Sequence, residues 1–129
     1  MIYTRSNHAK YRLQYHVILV CKYRKHLLVK HGDIVKRLIH ELIPNITEIE
    51  VDQDHVHLLV HLPPTRSISD QIKRIKQHTT YNLYKIPEIK KDLNAHFWKR
   101  NKFWSEGYFV STIGDVSEET IKRYIIEQG

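Results

Sequence analysis

The 129 residues of this chain suffice for one hydrophobic core, and we expect a single domain over 1–129. The chain has 21 lysine and arginine residues and 14 aspartate and glutamate residues, so its formal charge is +7. This charge suits a polyanionic partner. Taken alone, however, it is more typical of a soluble basic protein with solvated lysines. The lone cysteine, Cys21, excludes a disulfide framework or a cysteine-based zinc site within one chain. With no signal peptide and no apolar run long enough to cross a bilayer, a cytoplasmic protein is expected.

The first half of the chain predicts a strand, a helix and a second strand. Residues 13–21 are rich in β-branched and aromatic side chains on both faces, which is typical of a central strand. Residues 33–43 carry apolar side chains at helical spacing, and Pro44 with Asn45 ends this helix. Residues 46–51 alternate apolar and polar side chains, as a strand with one covered face does.

A histidine-bearing strand follows, entered through a hairpin turn at Gln53 and Asp54. His55 and His57 are two residues apart, so their side chains share one face at a Cα spacing of roughly 6.6 Å and can converge on one metal ion. His61 lies on the same face but roughly 13 Å from His57, which is too far for a third ligand. The alternate residues are apolar, and they predict a core on the other face of the sheet.

The second half predicts a helix, a strand and a final helix. The first of these helices begins at Ser67. Its side expected outside the core carries Lys73, Arg74, Lys76 and Gln77. Residues 85–100 are irregular and basic, with a short helix around 92–95, and residues 107–113 form a fourth strand before a helix over 117–128. The order of elements predicts an α+β fold: a ferredoxin-like or RRM-like antiparallel four-stranded sheet with two helices on one face plus a C-terminal helix.

The C-terminal helix carries two further candidate site residues, Tyr124 and Gln128. They are four residues apart and therefore share one helical face. The Tyr124 phenol is a candidate nucleophile, and the Gln128 amide oxygen is a candidate neutral metal ligand. Strand histidines are more often half-buried hydrogen-bonding residues than ligands, and most helix tyrosines only pack. It is the conjunction of the histidine pair with this helix that indicates a site.

Several blocks of the sequence occur in the order found in one known family. The blocks are Tyr-His-Val at 15–17, Cys-Lys-Tyr-Arg at 21–24, Asp-His-Val-His-Leu-Leu at 54–59, the aromatic stretch 103–114, and Ile-Lys-Arg-Tyr-Ile at 121–125 with Gln128. The chain resembles, over nearly its whole length, the single-tyrosine, IS200-like transposases of the HUH (His-hydrophobe-His) nuclease superfamily. These enzymes mobilise insertion sequences through single-stranded DNA, and the resemblance implies the ferredoxin-like fold inferred above.

The resemblance also implies a chemistry and a set of partners. It implies a DNA transposase that acts as a metal-dependent single-strand endonuclease and strand transferase, with Tyr124 forming a 5′-phosphotyrosine and leaving a free 3′-hydroxyl. His55, His57 and Gln128 would hold Mg²⁺ or Mn²⁺ over the scissile phosphate. The expected partners are single-stranded DNA with hairpins and a second subunit. In the homodimer, composite active sites would join the histidines of one subunit to the tyrosine helix of the other. In this sequence, a short linker that could act as a hinge around Gly114 and Asp115 is consistent with a helix that can swing away.

Basic and aromatic residues outside this site are candidate DNA contacts. The basic members are Lys22, Arg24 and Lys25 in one cluster, Lys99, Arg100 and Lys102 in a second, and Lys122 with Arg123 beside the tyrosine. Trp98, Phe103 and Trp104 interleave with the second cluster and could stack on bases, or one or both tryptophans could pack against the sheet. The first cluster could equally be a solvated turn. His16 is expected to be a satisfied core histidine. The histidines without ligand spacing, including His31, are expected to be surface or incidental residues.

Two other functions fit parts of this pattern. A replication initiator or relaxase of the same superfamily would share the site, but such proteins are usually larger. A noncatalytic nucleic-acid-binding module on a ferredoxin-like sheet would need neither the histidine pair nor Tyr124. Such a module would also be expected to show aromatic side chains in mid-strand positions, where this chain has imidazoles.

Overall fold

The computed structural model describes residues 4–6, 9–11, 14–44, 46, 48–62, 67–112 and 118–127. The strands are β1 (Thr4–Ser6), β2 (Ala9–Tyr11), β3 (Gln14–Val20), β4 (Glu48–Val51), β5 (His55–His61) and β6 (Phe109–Thr112). The α-helices are α1 (Leu28–Leu42), α2 (Ile68–Tyr84), α3 (Pro87–His96) and α4 (Glu118–Glu127). No helix in the described ranges is long and apolar enough to cross a membrane.

Four strands form one antiparallel sheet in the order β4-β5-β3-β6. This is the ferredoxin-like arrangement, so the predicted α+β fold and the central position of the first long strand are confirmed. The register pairs Ile18 with His57 and Val17 with Leu58. Because side chains alternate along a strand, this register puts Ile18 and His57 on one face of the sheet and Val17 and Leu58 on the other. The short β1–β2 hairpin is a separate two-stranded sheet that the sequence analysis did not predict.

The core lies between one face of the sheet and the helices α1, α2 and α3. Its members from the strands are Val17, Leu19, Val56, Leu58 and Val60, and those from the helices include Val35, Ile39, Ile72, Ile75, Leu83 and Leu93. All of them are essentially inaccessible to solvent. Fully burying one such side chain stabilises the fold by roughly 1.5–3 kcal/mol, so this apolar layer keeps the sheet packed against the helices. The other face of the sheet is left for the histidines.

Helix α1 begins at Leu28, five residues before the predicted start. It therefore includes Gly32, where an added Cβ atom would lie 2.9 Å from Cγ1 of Val51 in β4. Glycine is a poor helix former, but here only glycine leaves room for the neighbouring strand. The prediction for His31 as a surface residue was also wrong. His31 is buried, and its Nε2 atom lies 2.6 Å from Oδ2 of Asp92, which joins α1 to α3.

Helix α3 spans Pro87–His96, so the short helix predicted around 92–95 was too short. Pro87 occupies the first turn, where a missing N–H costs nothing, and Leu93 anchors the helix in the core. The start of α2 is confirmed, since the Ser67 hydroxyl accepts a hydrogen bond from the Asp70 amide at 3.4 Å. The predicted hinge at Gly114 and Asp115 lies outside the described residues.

Candidate active site

The histidines of β5 open onto a cavity on the face of the sheet away from the core. His55 and His57 are half-buried there, while Val56 and Leu58 between and beyond them are fully buried on the opposite side. The cavity has a volume of about 400 Å³. Its lining residues are Ile18, Glu50, Val51, Asp52, His55, His57, Lys122 and Ile125. The predicted shared face of the two histidines is therefore confirmed, and two residues of α4 share their cavity.

A carboxylate orients the His55 ring. The Nδ1 atom of His55 lies 2.9 Å from Oδ1 of Asp54, and an ionised carboxylate can only accept, so Nδ1–H donates this hydrogen bond. The Nε2 atom makes no hydrogen bond to this carboxylate and lies 4.0 Å from Oδ2 of Asp52. A ring held by a carboxylate on one nitrogen and open on the other is the arrangement that metal-binding histidines show. From the sequence, Asp54 was expected to form part of a turn, and this contact was not predicted.

The His57 ring contacts a second imidazole, that of His16. The Nε2 atom of His57 lies 3.0 Å from Nδ1 of His16, and the two rings stack with centroids 5.1 Å apart. The expectation that His16 is a core residue was wrong. Strand β3 puts Val17 and Leu19 into the core, so His16 projects from the other face, where it is half-buried next to His57.

Burial lowers the pKa of His57, and the neighbouring His16 and His55 rings lower it further, against the raising effect of Glu50 and Glu48. The ring is therefore held in its neutral form, which is the form that can bind a metal. Its hydrogen bond to His16 occupies only one of its two nitrogens. Two imidazoles at one open cavity fit a divalent cation whose other ligands are water or phosphate oxygens.

Within the described ranges, no three side chains among histidine, cysteine, aspartate and glutamate are grouped to hold a metal ion. His55 and His57 would therefore contribute two ligands, and the rest of a coordination shell must come from other groups. The third predicted ligand, Gln128, lies outside the described residues.

Helix α4 lies on the histidine face of its own chain. The Tyr124 ring packs on Phe109 with centroids 5.5 Å apart, and Phe109 pairs with Ile18, which lines the histidine cavity. The Tyr124 hydroxyl is buried, and it has no hydrogen-bond partner among the described residues. Burial raises the pKa of Tyr124 to about 12, so the phenol keeps its proton at neutral pH.

The predicted DNA contacts separate into exposed and buried residues. Trp98 is fully exposed, whereas Phe103 and Trp104 are buried in the core, so packing is the correct interpretation for these two. The indole Nε1 of Trp104 donates to Oγ1 of Thr79 at 2.9 Å. A second cavity, also of about 400 Å³, is lined by part of the first basic cluster and by the segment after α3. Its lining residues are Lys22, Tyr23, His96, Phe97, Trp98, Lys99, Lys102 and Glu106.

Lys76 has a structural role that the sequence analysis missed. It was expected outside the core, but it is half-buried, and its Nζ atom donates to the carbonyl oxygens of Ser105, Glu106 and Gly107 at 2.9, 3.2 and 2.9 Å. These bonds fix the segment that leads into β6. The position of Lys76 on its helix does not predict this contact, because the carbonyl groups lie about thirty residues away in the chain.

The family model described as "Transposase IS200 like" matches residues 9–128 of this chain. The chain belongs to the IS200-like transposase family. Among its relatives, the transposase for insertion sequence element IS200 of Salmonella typhimurium is 30% identical over 126 residues, which cover 94% of this chain and 80% of the relative. The ISDra2 transposase TnpA of Deinococcus radiodurans is 30% identical over 124 residues, covering 92% and 85%.

Solved structures agree with this membership. A crystal structure of a transposase from Deinococcus radiodurans R1 superposes with a TM-score of 0.83 at 27% identity and covers 97% of both chains. The REP-associated tyrosine transposase bound to a REP hairpin superposes with a TM-score of 0.53 at 14% identity, covering 94% of this chain and 68% of that one. At that identity the second likeness shows the fold alone. As a member of the family, the chain is a DNA transposase.

Proposed function

We propose that this transposase cuts and rejoins single-stranded DNA with Tyr124 as its nucleophile and a divalent metal held by His55 and His57. The observation that carries this proposal is the histidine cavity. Two imidazoles from β5 and two side chains of α4, Lys122 and Ile125, line the same space. Tyr124 is directly before Ile125 on this helix.

In the cleavage step, the Tyr124 oxygen attacks the scissile phosphorus. A bond forms between the phenolic oxygen and phosphorus as the bond between phosphorus and the 3′-oxygen breaks. The phenol loses one proton and the leaving 3′-oxygen gains one, so no co-reactant is consumed. The product is a 5′-phosphotyrosine, and attack on it by another 3′-hydroxyl rejoins a strand by the reverse reaction.

The ring contacts support a metal site at the two histidines. Asp54 orients His55 through its Nδ1–H, and His16 contacts His57, so both rings are held before a cation arrives. A bound Mg²⁺ or Mn²⁺ would supply Lewis acidity at the phosphate and fix its position. We assign the third protein ligand to the amide oxygen of Gln128, because its spacing of four residues from Tyr124 in the sequence predicts a shared helical face.

Cationic side chains of α4 would position the substrate. Lys122 lines the histidine cavity and is exposed, and Arg123 beside it is exposed as well. Their charges suit the phosphates on either side of the scissile bond. The Tyr124 ring packs against Phe109, and Tyr124 is not among the described residues that line the cavity. Cleavage therefore needs α4 to turn or shift until the hydroxyl reaches the bound phosphate.

Hairpin DNA and a second subunit complete the proposal. The REP-associated tyrosine transposase of the same fold is bound to a hairpin, and the +7 charge of this chain suits a folded DNA strand. We extend hairpin recognition to this chain on that basis. We also propose a homodimer with composite sites, in which α4 of one subunit serves the histidines of the other.

The deciding experiment is to trap the covalent intermediate. Wild-type protein incubated with a labelled single strand that carries a hairpin and Mg²⁺ should form a protein–DNA adduct, and mass spectrometry should place the DNA on the peptide with Tyr124. Tyr124→Phe removes one oxygen and should abolish both adduct and cleavage. Tyr108→Phe is the matched control, since Tyr108 lies just before β6 and outside α4. Cleavage without any adduct would indicate attack by water instead. Binding without cleavage by wild type would favour a noncatalytic DNA-binding module.

A further inference from the structure

The second cavity combines aromatic rings with amines and is built from two distant parts of the chain. One wall is the turn after β3, with Lys22 and Tyr23, and the other is the segment after α3, with Trp98 and Lys99. Its volume of about 400 Å³ is within the range of small-ligand sites. Among the described residues it has no lining residue in common with the histidine cavity. It is therefore a separate candidate binding site.

Two of its aromatic rings are exposed in a way that packing does not explain. Trp98 is fully exposed and Tyr23 is mostly exposed, whereas Phe97, which also lines the cavity, is buried. Tryptophan side chains are highly buried on average in folded proteins, because removing their large apolar ring from water is favourable. Trp98 contrasts with Trp104, which is buried and hydrogen-bonded. An exposed indole at the edge of a cavity has a free face for a planar ligand.

The turn that carries Tyr23 is held in an unfavourable backbone conformation. Tyr23 and Arg24 have φ angles of 60° and 52°, in the left-handed region that bulky residues rarely occupy. Such residues persist only where neighbouring contacts impose them, and they are concentrated at binding and catalytic sites. Here the Lys22 amide donates to the Phe103 carbonyl at 2.8 Å. The turn is thus bonded to the residue that follows Lys102, a lining residue of the cavity.

The opposite wall is fixed as well. The Tyr84 hydroxyl donates to the Lys102 carbonyl at 2.7 Å and accepts from the Lys102 amide at 3.2 Å. The backbone is therefore anchored at Lys22 on one side of the cavity and at Lys102 on the other, and such pre-organisation lowers the entropy lost on binding.

The charges of the cavity suit a phosphate-bearing ligand. Lys22, Lys99 and Lys102 line it, and Glu106 is the carboxylate among its described lining residues. The Lys22 ammonium lies 5.0 Å from the centre of the Tyr23 ring. Amines beside exposed rings match a nucleotide, which presents a flat base next to an anionic phosphate. The carboxylates of an acidic peptide could pair with the lysine ammonium groups, but they offer no planar ring to stack on the Trp98 indole.

We propose that this cavity binds one unpaired nucleotide of single-stranded DNA, with its base stacked on Trp98 and its flanking phosphates on Lys22, Lys99 and Lys102. The inference rests on the proposed function, in which single-stranded DNA is the substrate. It adds a second subsite away from the reacting phosphate. Such a subsite anchors the strand by stacking on a base and makes no hydrogen bonds to the base edge, so it tolerates different sequences.

The test compares a strand with bases to one without them. Binding of wild type, Trp98→Ala and Trp98→Phe would be measured by fluorescence anisotropy on labelled oligothymidylate and on an abasic strand of the same length. Loss of one stacked base corresponds to a loss of affinity of roughly 5- to 140-fold for Trp98→Ala on oligothymidylate. Trp98→Phe should keep most of the affinity. On the abasic strand, the three proteins should bind alike within about twofold, because only phosphate contacts remain.

Tyr81→Ala is the matched control. Tyr81 is an exposed ring on α2 with the Lys85 ammonium 4.3 Å from its centre, and it does not line this cavity. It should leave binding unchanged. Equal affinities of Trp98→Ala and wild type for oligothymidylate would overturn the subsite. An equal loss on the abasic strand or in Tyr81→Ala would overturn it too, because charge or surface effects would then account for the loss.

Failure of the subsite and failure of the proposed function can be told apart. A wild-type protein that forms the Tyr124 adduct while Trp98→Ala binds normally refutes only the subsite. A wild-type protein that binds oligothymidylate through Trp98 but forms no adduct refutes only the tyrosine mechanism. Absence of any single-strand binding by wild type refutes both.

Discussion

The Nδ1 atom of His16 lies 3.0 Å from the Nε2 atom of His57, and the two imidazole rings are stacked within 18° of parallel. This contact joins neighbouring strands of the sheet, β3 and β5, on the face opposite the core. It fixes the ring of one proposed metal ligand through a residue that is not itself assigned as a ligand. Contacts of this kind set the orientation and tautomer of metal-binding histidines.

His16→Ala should therefore weaken metal binding. The expected loss of Mn²⁺ affinity is about 10- to 100-fold, because the His57 ring would no longer be held in place. Electron paramagnetic resonance of free Mn²⁺ measures this directly, without any cleavage assay. His40→Ala on the exposed side of α1 is the control and should bind Mn²⁺ like wild type. Unchanged Mn²⁺ affinity in His16→Ala would show that the contact has no role in the metal site.

His57→Ala and metal removal should have the same effect on cleavage. Each should abolish it, while hairpin affinity should stay within a few fold of wild type because basic side chains on phosphates dominate binding. Gel shift and cleavage of one labelled hairpin substrate, with Mg²⁺ or with chelator, would separate binding from chemistry. His61→Ala is a stringent control, since it lies on the same face of β5 beyond ligand distance. Full Mg²⁺-dependent cleavage by His57→Ala would contradict the assignment.

Mixing two inactive proteins tests whether the active sites are composite. His57→Ala and Tyr124→Phe should each be inactive alone. If the histidines of one subunit serve the tyrosine of the other, each heterodimer regains one intact site. Its cleavage activity should then be about half that of a wild-type dimer, which has two sites. Subunit exchange must be demonstrated separately, for example by energy transfer between differently labelled subunits. No recovery despite exchange would favour sites formed within one chain, where α4 already packs on its own sheet.

Lys76→Met should destabilise the fold by roughly 2–3 kcal/mol. The substitution keeps most of the side-chain length but removes the ammonium that bonds three successive carbonyls, and hydrogen bonds to charged groups contribute about 1.5–3 kcal/mol. The measurement is the urea midpoint of unfolding at an unchanged slope. Lys73→Met, on the exposed side of the same helix, is the matched control and should change stability by no more than about 0.5 kcal/mol. Equal midpoints for the two variants would show that the three carbonyl bonds contribute little.

Local patterns in the sequence were enough for most of the fold. Alternation along β5 predicted the shared face of His55 and His57, and the Ser67 cap predicted the start of α2. These features depend on residues close together in the chain, whose spacing a strand or helix converts directly into geometry. Prediction was poorest where a tertiary contact overrides local preference, as at Gly32, where closeness to β4 explains a glycine inside α1.

The sequence by itself determined the fold class and the family, the histidine pair, and the choice of Tyr124 as the candidate nucleophile. Only the tertiary structure decided that His16 contacts His57, that Trp98 is exposed while Trp104 is buried, and that Tyr23 joins the Trp98 cavity. The reason is physical. Each of these relationships depends on the register of paired strands or on backbone bonds between segments far apart in the chain, and no local periodicity encodes which distant segments will meet.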